Sequence, residues 1–83
     1  MSAEKSIHVY YYAMLREEAG TSNEILRTAA GTAGELYGEI RTRHGFKFDR
    51  EKLKVGINHE MTNWDHALKD GDTVEFIPPV AGG

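Results

Sequence analysis

The chain has 83 residues, enough for one small domain with a single core but not for a large internal active site. Its ten basic and thirteen acidic side chains give a net charge of −3, and the basic residues are scattered, so nucleic acid is not an expected partner. The longest apolar or aromatic run, residues 9–15, is too short to cross a bilayer, and the first five residues lack the apolar segment of a signal peptide, so we expect a cytoplasmic protein without a membrane partner.

Residues 6–14 alternate with the period of a β-strand and are rich in β-branched and aromatic side chains. The set predicted to face the core is Ile7, Val9 and Tyr11. The opposite face carries Tyr10, Tyr12 and Met14, where a solvated sheet normally shows charge. Because aromatic residues and Met are enriched at interfaces, this face is either a docking surface or a surface that loops cover.

Two short elements are predicted next. Residues 16–20 form a polar turn or a single helical turn closed by Gly20, and residues 23–29 form a second strand with Ile25 pointing inward. A helix is predicted to begin at Thr32, because Thr32 and Glu35 have the spacing of a capping box.

The predicted helix presents an apolar face made of Ala33, Leu36, Tyr37 and Ile40, and Gly45 is a suitable left-handed stop. Gly34 and Gly38 are unfavourable inside a helix. Close approach of the helix to the sheet is the only reason that the sequence suggests for them.

The remaining strands are predicted at residues 53–58 and 73–77, with a short segment around Met61 between them. Their inward side chains are expected to be Val55, Ile57, Val74 and Phe76, whereas Glu75 and Ile77 point outward. Trp64 is expected to anchor the connecting loop. Asp70-Gly71-Asp72 is a strong turn signal before the last strand.

This order predicts an α+β domain over residues 1–77, with one main helix packed across a mixed sheet of four to five strands. The first and last strands are expected to pair in parallel at its centre. Residues 78–83 follow as a flexible tail, which consists of Pro78, Pro79, Val80, Ala81, Gly82 and Gly83.

The tail is expected to be stiff where it leaves the domain and flexible at its end. Pro78 and Pro79 favour an extended exit, while Gly82 and Gly83 can pass down a channel too narrow for other residues. From Val80 onward the tail can reach about 13 Å. The Gly83 carboxylate is therefore the candidate reactive group, delivered into a partner's active site.

Other candidate sites are weaker. Cysteine is absent, which excludes side-chain thiol chemistry. The four histidines lack the spacing of metal ligands, and the aspartates near the last turn lack that of an EF-hand, so no metal site is expected. The histidines are His8, His44, His59 and His66.

The sequence resembles the family of molybdopterin synthase small subunits. The resemblance rests on residues 9–17, Gly20, Asn58, residues 68–74 and the Pro-Pro-Val-Ala-Gly-Gly end, and it covers essentially the whole domain. Members of this family are ubiquitin-like β-grasp sulfur carriers. Sulfur carriers of the thiazole pathway share the Gly-Gly end but usually lack the Pro-Pro pair, which favours the molybdopterin branch.

The resemblance implies a cycle in which the chain binds no cofactor of its own. A ubiquitin-activating-type adenylyltransferase uses ATP to adenylate Gly83, and a sulfur donor protein converts the adenylate to a thiocarboxylate. The large synthase subunit then accepts the tail, and the sulfur passes to a pterin precursor in molybdenum cofactor biosynthesis. The chain is thus a sulfur-donating subunit rather than a catalyst on its own.

Docking of these partners is expected on the outer sheet face, through Tyr10, Tyr12, Met61 and Ile77. Three alternatives stay open: a ubiquitin-like modifier that joins Gly83 to lysines, a carrier for thiazole or tRNA thiolation, and a non-covalent binding module.

Overall fold

The computed structural model describes residues 4–79. The elements are β1 Lys5–Tyr11, α1 Ala13–Ala19, β2 Asn23–Thr28, α2 Ala33–His44, a 3-10 turn at Arg50–Lys52, β3 Lys54–Ile57, β4 Glu60–Thr62 and β5 Thr73–Ile77. No helix within this part of the chain is long and apolar enough to span a membrane.

The strands form one mixed sheet in the order β2-β1-β5-β3-β4. β1 and β5 pair in parallel at its centre, with Val9 opposite Val74 and Tyr11 opposite Phe76. The other neighbours pair antiparallel. The predicted fold class and the central parallel pair are therefore confirmed.

The core lies between the inner sheet face and α2. The inward strand residues that the alternation predicted, Ile7, Val9, Tyr11, Val55, Ile57, Val74 and Phe76, are all buried, as is the predicted apolar face of α2. Trp64 packs against this core and stacks on Phe76, with ring centroids 6.0 Å apart. The loop anchor predicted at Trp64 is thus confirmed.

Both ends of α2 follow the sequence signals, with one correction. The Thr32 hydroxyl accepts a hydrogen bond from the Glu35 N–H at 3.2 Å. The Glu35 carboxylate, predicted to accept from the Thr32 N–H, accepts instead from the Gly31 N–H at 2.7 Å. Thr32 has the extended backbone angles of an N-cap residue, and the carboxylate reaches one residue further back than in the predicted capping box. At the other end Gly45 has φ 69°, as predicted for a left-handed stop.

The first strand is shorter than predicted. It ends at Tyr11 rather than at residue 14, and Ala13, with φ 51°, begins α1, whereas a polar turn or a single helical turn was expected only from residue 16. Gly20, with φ 77°, closes this helix as predicted. The physical reason is Leu15, which is completely buried. A continued strand would keep Leu15 on the face of Tyr11 but carry it about 13 Å further along, whereas the helix brings Leu15 back into the core cluster.

The orientation predicted for Ile25 is wrong. Ile25 is 69% exposed, and Leu26 is the buried residue of β2. In the antiparallel register Ile25 lies opposite His8 on the outer face, whereas Leu26 lies opposite Ile7 on the core face. Directly opposite residues share a face of the sheet, so the register of β1 fixes the choice.

Candidate functional site

The chain leaves the sheet after β5 at the same end where β1 stops, because β1 and β5 run in parallel. Pro78 is buried and Pro79 is exposed, so the chain leaves the packed body between the two prolines. The predicted tail residues Val80, Ala81, Gly82 and Gly83 lie outside the described residues.

The outer face of the sheet lies beside this exit, and the strand register sets its side chains in rows. One row runs across four strands and consists of Tyr10, Glu75, Gly56 and Met61, each opposite the next. Ile77 follows two residues after Glu75 and is half-buried. We call the surface formed by Tyr10, Tyr12, Met61, Glu75 and Ile77 the outer face.

The four predicted docking residues therefore come together on one surface. Tyr12 is 39% exposed and Met61 is 59% exposed, large values for such side chains on a folded domain. Tyr10 is less exposed, because its ring stacks on His8 at a centroid distance of 4.5 Å. The arrangement offers apolar contact area beside the exit of the tail, as a docking surface requires.

A carboxylate that the sequence argument did not assign lies at the centre of this face. The side chain of Glu75 is only 16% exposed. Its Oε2 accepts a hydrogen bond of 2.9 Å from the Tyr12 hydroxyl and lies 3.6 Å from Nδ1 of His59. The alternation of β5 already placed Glu75 outward, but its neighbours follow only from the pairing of β1 with β5.

This contact affects the ionisation of Tyr12. Burial and the hydrogen bond to Glu75 together raise the pKa of Tyr12 above its ordinary value of 10.0. The phenol therefore stays protonated near neutral pH and keeps donating to the carboxylate.

A second polar cluster lies on the core side, at the far edge of the sheet. Glu24 accepts hydrogen bonds from the Tyr11 hydroxyl and the His44 ring. Burial strongly raises the pKa of Tyr11, and the bond to Glu24 adds to this effect. These contacts join β1, β2 and α2, which indicates a structural role. Within residues 4–79, no group of three or more potential ligands is arranged to hold a metal ion.

The chain is similar to proteins of a known family. The model of the ThiS family matches residues 9–83. The molybdopterin synthase sulfur carrier subunit of Escherichia coli is 32% identical over 80 residues, which cover 93% of this chain and 99% of that protein.

Solved structures share the fold. A putative molybdopterin converting factor subunit 1 from Pyrococcus furiosus is 32% identical with a TM-score of 0.77, over 92% of this chain and 99% of that one. A chain in the complex of subunits 1 and 2 of molybdopterin-converting factor from Helicobacter pylori has a TM-score of 0.65 at 24% identity, over 94% of this chain and 99% of that one. At that identity the second likeness concerns the fold alone.

The family match includes the aromatic end of the first strand and the Gly-Gly end, and the described domain has the expected mixed sheet. The chain therefore belongs to the ThiS family of ubiquitin-like β-grasp sulfur carriers, in the branch of the molybdopterin synthase small subunits.

Proposed function

We propose that the chain carries sulfur as a thiocarboxylate on Gly83 and donates it to a pterin precursor within molybdopterin synthase. The observation that carries this proposal is the family match, which runs through the whole tail to Gly83. The exit of the tail beside an apolar face supports it, because a partner can dock on that face while the tail enters its active site.

The chemistry requires an activated acyl group, since a free carboxylate is a poor electrophile. In the proposed cycle a Gly83 carboxylate oxygen attacks the α-phosphate of ATP, and pyrophosphate leaves. A sulfur nucleophile then displaces AMP from the acyl-adenylate, which leaves sulfur on the carbonyl carbon. Transfer of that sulfur to the pterin precursor, with water supplying the replacing oxygen, restores the carboxylate.

The catalytic groups of this cycle are assigned to partner proteins. Its expected partners are an adenylyltransferase, a sulfur donor protein and the large synthase subunit, and ATP belongs to the first of these. Their docking is proposed on the outer face, with Tyr12, Met61 and Ile77 as the apolar contacts. The same activated carboxylate could also be captured by a lysine amine, so protein modification is the competing outcome.

Intact mass spectrometry of the protein purified from its own cells tests the proposal. Exchange of one oxygen for sulfur at Gly83 is the expected result, and it should disappear when the adenylyltransferase gene is deleted. Branched Gly-Gly adducts on lysines of other proteins, without the sulfur-bearing terminus, would establish modification instead.

Two tail variants give a matched comparison in cells that lack any other copy. Deletion of Gly83, or addition of one alanine after it, should abolish molybdenum cofactor production while the domain remains folded. A control change on the exposed side of α2, Glu39→Gln, keeps the whole tail intact and should leave production near normal. Normal cofactor production with either altered terminus would refute the proposed role of Gly83.

A further inference from the structure

Only one of the two oxygens of the Glu75 carboxylate accepts a hydrogen bond from the described residues, although the group lies at the centre of the outer face. Its Oε2 is engaged by Tyr12 and lies near His59. Its Oε1 lies over Gly56, so close that a Cβ atom added there would be 3.2 Å away. Among residues 4–79, no donor forms a hydrogen bond to Oε1.

Water can solvate Oε1 in the free protein, but a docked partner would exclude that water. Burying an ionised carboxylate without a compensating donor is strongly unfavourable. A partner that covers the outer face must therefore bring a donor to Oε1, and a cation is the most effective one.

The chain's own basic side chains near Glu75 are poorly placed for this role. His59 approaches Oε2, the oxygen that Tyr12 already occupies, and its side chain is 79% exposed. Lys54 lies on the same side of the sheet, opposite Ile77, but forms no ion pair with Glu75. Glu60, at the start of β4, lies opposite the core residue Ile57 and therefore on the other side of the sheet.

We propose that the outer face recognises an apolar protein surface carrying one arginine or lysine at its centre, which pairs with Oε1 of Glu75. Tyr12, Met61 and Ile77 surround that point and exclude water from the pair. This inference rests on the proposed function, and it identifies the large synthase subunit as the protein that brings the cation. The missing Cβ at Gly56 leaves room for the Glu75 carboxylate itself, since Oε1 lies where that atom would crowd it.

The test measures binding of the purified full-length chain to the large synthase subunit of the same organism by calorimetry. Glu75→Gln keeps the shape and the bond from Tyr12 but removes the charge. It should weaken binding by about tenfold or more and reduce the dependence of affinity on salt. The control Glu39→Gln removes an equal charge from the exposed side of α2 and should change affinity less than about twofold.

A double-mutant cycle locates the partner's cation. Each arginine and lysine on the contacting surface of the large subunit is changed to methionine and measured with wild-type chain and with Glu75→Gln. One of these changes should weaken binding to the wild-type chain by about tenfold and have little further effect with Glu75→Gln. The scan against wild-type chain is decisive even if Glu75→Gln folds poorly.

Unchanged or tighter binding of a folded Glu75→Gln variant would overturn the inference, as would a scan in which no partner cation matters. In either case, wild-type chain that still binds and forms its thiocarboxylate would leave the proposed function intact. Failure of the wild-type chain to bind the large subunit would overturn both.

Discussion

The His44 ring, at the C-terminal end of α2, lies 2.6 Å from Oε2 of Glu24 on the edge strand β2. The Tyr11 hydroxyl donates to the same oxygen, and the Arg43 guanidinium lies 3.8 Å from the other one. Burial acts to raise the pKa of Glu24, but these hydrogen bonds and charges outweigh it and leave the pKa below its ordinary value of 4.5. The carboxylate thus fastens β2, which has only one strand neighbour, to the helix.

Replacing Glu24 should therefore change how stability depends on pH. Because the folded-state pKa is lowered, the ionised carboxylate stabilises the fold above its ordinary pKa, and this contribution is lost as the pH falls through the folded-state value. Glu24→Gln should lower the free energy of unfolding by about 1–2 kcal/mol near neutral pH, and the difference should shrink in acid. Urea titrations from about pH 7 to about pH 3 measure it, with Glu39→Gln as the control. An equal difference at all pH values would contradict the assignment.

The opposite orientations of Ile25 and Leu26 can be tested as a pair. Leu26→Ala should cost about 2–4 kcal/mol of stability, because it removes a core side chain. Ile25→Thr keeps the branched shape on an exposed position and should stay within about 0.5 kcal/mol of wild type. Thermal and urea denaturation of the two variants measure these changes. If Ile25 faced the core instead, Ile25→Thr would be the more destabilising substitution.

The two glycines of α2 should respond differently to alanine. A Cβ at Gly38 would meet no atom within 4 Å, so Gly38→Ala should stabilise the helix by about 0.5–1 kcal/mol. A Cβ at Gly34 would lie 2.2 Å from an Arg50 nitrogen and 3.2 Å from the Trp64 carbonyl oxygen. The Arg50 side chain can move, but the Trp64 carbonyl is backbone and accepts the Gly34 N–H.

Gly34→Ala should consequently gain less than Gly38→Ala or lose stability, and Arg50→Ala in the same chain should recover part of the difference. Denaturant midpoints measure both changes. Equal stabilisation at the two positions would show that the contacts at Gly34 carry no cost.

Tyr37 should make stability depend on pH in the alkaline range, as Glu24 does in the acid range. Its hydroxyl donates 2.6 Å to the Phe48 carbonyl oxygen, and burial raises its pKa to about 12, although Arg41 acts in the opposite direction. A raised folded-state pKa contributes stability below the ordinary value of 10.0, and this is lost as the pH rises through about 12. Tyr37→Phe should cost about 1 kcal/mol at neutral pH and flatten the decline above pH 10. If the loss of stability above pH 10 were unchanged in Tyr37→Phe, that loss would have to come from another tyrosine.

Substitutions on the outer face should weaken partner binding without unfolding the domain. Tyr12→Asp together with Ile77→Asp should leave a folded protein, since both side chains are partly solvated, yet weaken binding to the adenylyltransferase and to the large synthase subunit by about a hundredfold. Glu39→Lys on α2 is the control for a change of surface charge. Unchanged affinity for both partners would show that they dock elsewhere.

Much of the fold was predictable because its signals are local. The alternation in β1 gave the inward set from Ile7 to Tyr11, and Thr32 and Gly45 marked the ends of α2. Ile25 shows where local reasoning stopped. Both Ile25 and Leu26 are apolar neighbours, so only pairing with β1 could decide which of them is buried.

The candidate site was predicted in part for the same reason. Strand alternation placed Tyr10, Tyr12 and Ile77 on the outer side, and their assembly follows from the parallel pair at the centre. Glu75 received no role because its neighbours Tyr12 and Gly56 are distant in sequence. Similarly, the cluster of Tyr11, Glu24 and His44 depends on three elements that meet only after folding.

The parallel alignment of β1 and β5 also has a practical consequence for assays. Glu4 precedes the start of β1 and Pro79 follows the end of β5, so the two residues lie at opposite ends of the central strands. A fluorophore, affinity tag or biosensor anchor on the N-terminal side of Glu4 would therefore join the sheet at the end opposite Pro79. Fusion after Gly83 would block the carboxylate that is proposed to react, so immobilisation should be engineered from the N-terminal side.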